Sequence, residues 1–170
     1  FGAPLDLVKA LKSNPPSDIF AAFFAPSERP AHKWLHYLPI YERYFAPYRN
    51  KPVTFLEIGV FDGGSLDFWR RYFRDKSTIV GIDINEKCAD RVSPPNHVRI
   101  GSQDDPAFLS ELAAEFGPFD IVLDDGSHMG THQSVSLDAL FPHVSEGGLY
   151  VIEDTCTSYW VDHDGGYRRS

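Results

Sequence analysis

The sequence predicts an open α/β fold: a doubly wound, mostly parallel sheet with helices on both faces. Three observations carry that prediction. From Val53 onward, short apolar runs alternate with helical patterns, the signature of strand–helix–strand units joined by right-handed crossovers. The apolar runs are rich in β-branched residues and lack strict alternation, as strands covered on both faces do. Each run ends in a glycine turn or in polar and acidic residues, and ligands of open α/β sheets sit beyond those strand ends.

The elements follow in order. Residues 1–50 are rich in aromatics and Pro, with amphipathic helices expected at Leu5–Leu11 and at Leu38–Phe45, where Tyr41, Tyr44 and Phe45 fall on helical spacing. This segment is expected to form a helical cap or lid, and residues 51–170 the ligand-binding core. Core strands are expected in VTFLEIGV, TIVGIDI, HVRIGS, FDIVLDDG and GGLYVIED, and core helices in GSLDFWRRYF, PAFLSELAAEF and SVSLDALFPHV. Asp105-Pro106 opens the second of these helices with Pro in its first turn, and Gly117-Pro118 closes it. Asp104 reads either as an Asx-type cap before Pro106 or as a ligand contact.

Composition bounds the function. The chain has 170 residues, of which 42% are hydrophobic and 14% aromatic, enough for one full core and too apolar for disorder. No apolar run reaches the length of a membrane helix. A net charge of −8 argues against nucleic acid or an anionic membrane as partner and favours a small molecule. Two cysteines, Cys88 and Cys156, are too few for a disulfide framework and fit a reducing cytoplasm. No secretory signal is visible at the start, and Phe1 is not an initiator residue, which leaves room for an upstream piece.

The strand ends hold the candidate chemistry. The first turn reads E-I-G-V-F-D-G-G-S, with Glu57, Gly59, Gly63 and Ser65. Its spacing departs from the dinucleotide G-x-G-x-x-G, and Glu57 places negative charge where a pyrophosphate would lie. An acidic, glycine-bearing turn suits a ligand with an ammonium and a sulfonium, which is S-adenosylmethionine; a packing role for the glycines is the plain alternative. Asp83, about twenty residues later, stands where a carboxylate accepts ribose hydroxyls. Gln103 offers an amide to an adenine edge. Asp124 and Asp125 end the fourth strand, and Glu153 and Asp154 the fifth. Four crowded carboxylates repel unless a cation relieves them, and hard oxygen ligands suit Mg²⁺ or Mn²⁺. Alternation sends adjacent acids to opposite sides, so one of each pair is expected at the metal. His128, three residues beyond Asp125, is the expected general base.

On these motifs, and on HKWLHYLPIYERYFAP, LEIGVFDGGSLDFWRRYF, IVGIDIN, FDIVLDDGSHMGTHQ and FPHVSEGGLYVIEDTCTSYW, residues 32–160 resemble the class I S-adenosylmethionine-dependent methyltransferases. Within that Rossmann-like family they resemble the metal-dependent macrolide sugar O-methyltransferases of mycinamicin and macrocin type. The resemblance implies a cofactor held by Glu57, Gly59, Gly63 and Ser65, with Asp83 at the ribose, Gln103 near the adenine, Asp124 close by and Tyr37 closing over it. It implies Mg²⁺ on Asp125, Glu153 and Asp154, His128 as base with Asp125 beside it, a saccharide or glycoside hydroxyl as acceptor, and homo-oligomers with the amino-terminal segment in contacts. The family's later antiparallel strands have no counterpart here, so the core is expected to be carboxyl-terminally incomplete. The competing readings are a nicotinamide-dependent oxidoreductase, against which the glycine spacing counts, and a non-catalytic nucleoside-binding or assembly module, which has no use for four gathered acids. A catechol-type methyltransferase would share the metal logic and differ in acceptor.

Overall fold

A computed structural model of the chain describes residues 4–73 and 76–166. The first three residues of the expected cap and the last four of the expected core lie outside the described residues. Five parallel strands form one sheet: β1 (Thr54–Ile58), β2 (Thr78–Asp83), β3 (His97–Ile100), β4 (Phe119–Asp124) and β5 (Val144–Ile152). Their order is β3-β2-β1-β4-β5, with Phe55 level with Ile79 on one side and Ile121 on the other. The chain therefore winds outward from β1 in one direction and then the other, and the order reverses between β1 and β4. All five expected strands form, and β1, β2 and β4 are buried on both faces.

The helices are α1 (Pro4–Ser13), α2 (Asp18–Phe24), α3 (Leu38–Phe45), α4 (Gly64–Phe73), α5 (Pro106–Phe116) and α6 (Gly130–Leu140). In α5 the cap is Asp105, whose carboxylate accepts from the amides of Ala107 and Phe108, rather than Asp104. Asp105 directly precedes Pro106 and so occupies the N-cap position, from which a side chain reaches the first free amides. The α2 helix was not expected, because its DIFAAFF run is too short and too evenly apolar to show a helical period.

One apolar cluster on one face of the sheet unites Phe55, Leu66, Phe68, Trp69 and Phe73 with Ile19, Phe20, Leu38, Tyr41 and Phe45. The boundary at residue 50 is thus no break in packing: α2 and α3 complete the core beneath the sheet. Tyr41 stacks on Phe45, and both meet the buried ring of Trp69. The segment between α2 and α3 is held at the strand ends by polar contacts, Arg29 to Asp67 of α4, Lys33 to Asp125 and Glu153, and Tyr37 to Asp154. On the other face Leu56, Ile58, Val80 and Ile82 pack under Leu109, Leu112 and Leu140. Among the described residues no helix is long and apolar enough to cross a membrane.

Candidate active site

The site occupies the switch point beyond β1 and β4. Gly59 leaves β1 at φ +95° and Gly63 lies at φ +79°, a region glycine enters at little cost. A Cβ on Gly59 would overlap the carbonyl of Asp125, and one on Gly126 the side chain of Gln103. The two glycines thus let the β1 and β4 loops close on each other and form the floor of a cleft.

Three cavities follow along it. The first, about 230 Å³, has apolar walls of Ile58, Ile82 and Ile84, with Ser102, Gln103 and His132 as polar edge groups. The second, about 350 Å³, shares Gly59, Asp83 and Gly126 with the first and adds Asp62, Ser65, Asp125 and His128. The third, about 370 Å³, shares Asp125 and His32 with the second and is walled by Lys33, Trp34, Glu153 and Asp154. A flat heterocycle suits the first space, a charged tail the second, and a polar acceptor facing carboxylates the third.

Asp83 lines both of the first two cavities and accepts from the amides of Val60 at 2.9 Å, Phe61 at 3.0 Å and Asn85 at 2.8 Å. It fixes the glycine turn and, with about four acceptor positions on a carboxylate, retains capacity toward the cleft. Gln103 accepts from the Ser127 amide at 2.7 Å and donates to Asp124 at 3.2 Å. Asp124 and Glu57, both expected at the cofactor, lie behind the cleft, fully buried. Asp124 also accepts from Ser136 at 2.7 Å, while Glu57 takes the Ser65 hydroxyl, the Trp69 indole N–H at 3.2 Å and the Lys33 ammonium at 3.0 Å. Burial raises the pKa of both carboxyls. The reason is position: both still belong to their strands, so their side chains point into the layers beside the sheet, whereas Asp125 lies past the strand end.

Asp125, His128 and Asp154 converge. The His128 Nε2 is 3.7 Å from Asp125 Oδ1 and 3.8 Å from Asp154 Oδ2, and one ligand atom from each of the three lies within 4.8 Å of the others. The two carboxylates at that spacing could hold a single divalent cation of the Mg²⁺ or Mn²⁺ kind, with the imidazole of His128 beside it. His128 and Asp154 have φ of +59° and +52°, uncommon for residues other than glycine. One buried hydroxyl, Thr157 Oγ1, lies 2.7 Å from the His128 carbonyl and 2.9 Å from that of Asp154 and ties the two turns together.

Tyr37, expected over the cofactor, donates to Asp154 Oδ1 at 2.6 Å, and its hydroxyl is pushed up to about 12 by burial and by that carboxylate. Glu153, expected at the metal with Asp125 and Asp154, turns inward from its neighbour. It accepts from Tyr41 and, at 2.8 Å, from Lys33. Burial lifts its carboxyl to about 7 although Lys33 works against the rise.

Residues 56–155 match the family model of the methyltransferase domain. The chain belongs to that family. The matched span of this methyltransferase domain runs from the first strand through Asp154 and so contains every strand-end group described above. Demethylmacrocin O-methyltransferase of Streptomyces fradiae is 48% identical over 143 residues, which are 78% of this chain and 36% of that protein. The 8-demethyl-8-alpha-L-rhamnosyl tetracenomycin-C 2'-O-methyltransferase of Streptomyces olivaceus is 46% identical over 144 residues, 79% of this chain and 38% of that protein. The solved MycE methyltransferase from the mycinamycin biosynthetic pathway, in complex with Mg, SAH and mycinamycin VI, superposes with a TM-score of 0.76 at 42% identity, covering 88% of this chain and 39% of that one. The domain thus spans less than two fifths of the length of these relatives.

Sequence reasoning missed Lys33, Thr157 and Ser127. Lys33 sits in a stretch of rings and histidines, HKWLHY, where nothing local marks it. Its signal was the acid count at the strand ends, since gathered carboxylates require a cation and the chain can supply one itself. Thr157 and Ser127 act through backbone groups brought together only by folding.

Proposed function

We propose that this methyltransferase domain carries S-adenosylmethionine-dependent O-methylation of a hydroxyl on a sugar or glycosylated natural product, assisted by Mg²⁺ or Mn²⁺. One observation carries the reading: Asp125 belongs to both the tail cavity and the acceptor cavity, so a methyl donor and an acceptor hydroxyl would meet beside it and His128. The activities named for the Streptomyces relatives, and the Mg, SAH and mycinamycin VI bound by MycE, support the donor, the ion and the acceptor class.

In this reading Gln103 and Ser102 face the adenine, Asp83 the ribose, and Gly59, Gly63 and Ser65 shape the amino-acid end. Glu57 and Asp124 act from behind, through Ser65 and Gln103. When bound, S-adenosylmethionine supplies a methyl already activated on sulfur, so orientation and oxygen activation remain for the protein. Asp125 and Asp154, with Glu153 as a further ligand, would hold a divalent ion, which would supply positive charge that eases loss of a hydroxyl proton. His128 takes that proton at Nε2, the nitrogen turned toward Asp125 and Asp154. Tyr37 and Thr157 hold Asp154 in place, one through its carboxylate and the other through its carbonyl. Both cysteines are free, which supports a reducing, cytoplasmic setting.

The test compares wild type with His128→Ala in a chain that transfers methyl groups to a glycoside acceptor. Transfer is expected to fall by at least about 100-fold, in the range of general-base losses, with S-adenosylhomocysteine affinity unchanged. Undiminished transfer would remove His128 from the mechanism.

A further inference from the structure

Lys33 is the one lysine or arginine side chain inside the acid cluster among the described residues, and its side chain is completely enclosed. Its Nζ lies 3.0 Å from Glu57, 2.5 Å from Asp125 Oδ2 and 2.8 Å from Glu153 Oε1. An ammonium has three protons; here it donates to Asp125 and Glu153 and forms an ion pair with Glu57. Burial disfavours the charge, but Glu57, Glu153 and Asp125 together outweigh it and raise the pKa above the ordinary lysine value.

Its three partners differ. Glu57 lies on the central strand with no exposed surface and no place in the lining of the three cavities; its charge has Lys33 as its one ionic partner among the described residues. Asp125 and Glu153, in contrast, both wall the acceptor cavity. Asp125 is moreover divided: Oδ2 binds Lys33, while Oδ1 faces His128 on the side where Asp154 also converges. The same carboxylates that would hold a divalent ion are thus already drawn together by a tethered ammonium.

We propose that Lys33 is an internal cation that stands in for the divalent ion: it holds Asp125 and Glu153 in place when no ion is bound, and gives them up to an arriving ion while remaining paired with Glu57. The proposal rests on the metal reading above and deepens it. It explains how Glu153 can be turned from Asp154 here and still serve as a ligand, since its carboxylate need only exchange one cation for another. It also ties ion uptake to the acceptor side, because Lys33 lies between His32, which lines the tail cavity, and Trp34, which walls the acceptor cavity.

The experiment is thermal unfolding of wild type and Lys33→Met in EDTA and in Mg²⁺ at constant ionic strength, with Mn²⁺ binding followed by electron paramagnetic resonance. Without an ion, Lys33→Met should melt on the order of 10 °C below wild type, because buried carboxylates lose their partner. Saturating Mg²⁺ should recover the share of that loss that comes from Asp125 and Glu153, leaving the share from Glu57, and add little to wild type, and Mn²⁺ should bind the variant at least about tenfold more tightly. If Lys33→Met does not fold, Lys33→Met/Glu57→Gln removes one charge of each sign and carries the Mn²⁺ comparison. Wild-type Mn²⁺ binding with unchanged affinity in the variants, or a variant melting point indifferent to Mg²⁺, would overturn the role of Lys33 alone. Absence of Mn²⁺ binding in wild type and variants alike would overturn the metal reading and this proposal with it.

Discussion

Replacing Gly59 by alanine perturbs the cofactor turn and the acid cluster in one step. The added Cβ would stand 2.9 Å from the Asp125 carbonyl carbon and 3.1 Å from the Gly126 Cα, and closer still to the Asp125 carbonyl oxygen. Those atoms are backbone and cannot rotate away. Their loop is pinned at its start by the Asp125 amide, which donates to the Ile58 carbonyl at 3.0 Å, and by the Glu153 amide, which donates to that of Asp124 at 2.9 Å. A non-glycine residue at φ +95° costs about 1–3 kcal/mol, and overpacking adds about 1–3 kcal/mol. The sum is on the order of 3 kcal/mol, or about 6–12 °C in melting temperature for a domain of this size. Urea and thermal unfolding measure that loss. Calorimetry of the folded variant should show S-adenosylhomocysteine binding weakened at least about tenfold and Mn²⁺ weakened with it, since Asp125 must shift. A variant that binds both ligands as wild type does would refute the claim that the two loops share one close contact.

Two further perturbations probe neighbouring parts. Thr157→Val keeps the shape but leaves the His128 carbonyl without its donor, at a cost of about 1–3 kcal/mol; Mn²⁺ affinity should fall while S-adenosylhomocysteine affinity holds, and Thr157→Ser should restore it. Equal Mn²⁺ affinity in all three proteins would contradict the link between the His128 and Asp154 turns. The Cys88 thiol, which donates to the Phe61 carbonyl at 3.1 Å, is pushed up to about 11 by burial and by Asp83. A raised thiol pKa means less thiolate at a given pH, so at pH about 8 one thiol per chain, that of exposed Cys156, should react promptly with a disulfide reagent, and Cys88 should follow only as the pH rises. Two equally fast thiols would show that Cys88 is neither enclosed nor shifted.

Much of this was legible in the sequence because the determinants are local. Periodicity and Gly and Pro punctuation place all five strands, and the acids at the strand ends mark the side of the sheet that bears the site. Alternation correctly anticipates that Asp124 and Asp125 part company, as do Glu153 and Asp154. What alternation leaves open is which member faces which space: Glu57 and Asp124 are the last polar groups inside their strands and turn into the layers, whereas Asp125 has already left its strand. Lys33 lies 92 residues from Asp125 and 120 from Glu153, and Tyr37 117 from Asp154, and no local pattern encodes such meetings. Tyr37 is named by the family resemblance and not by a local pattern, and its meeting with Asp154 is set by the fold.

The central claim is that the cleft beyond β1 and β4 binds a sulfur nucleoside next to a divalent ion. The most direct measurement is calorimetric titration of this chain with S-adenosylmethionine and S-adenosylhomocysteine, in Mg²⁺ and then in EDTA, with NADH as the competing ligand. Binding of both sulfur nucleosides near the micromolar level, with none of NADH and a gain from Mg²⁺, is the predicted result. NADH binding in their place, or no binding of either sulfur nucleoside with or without Mg²⁺, would contradict it.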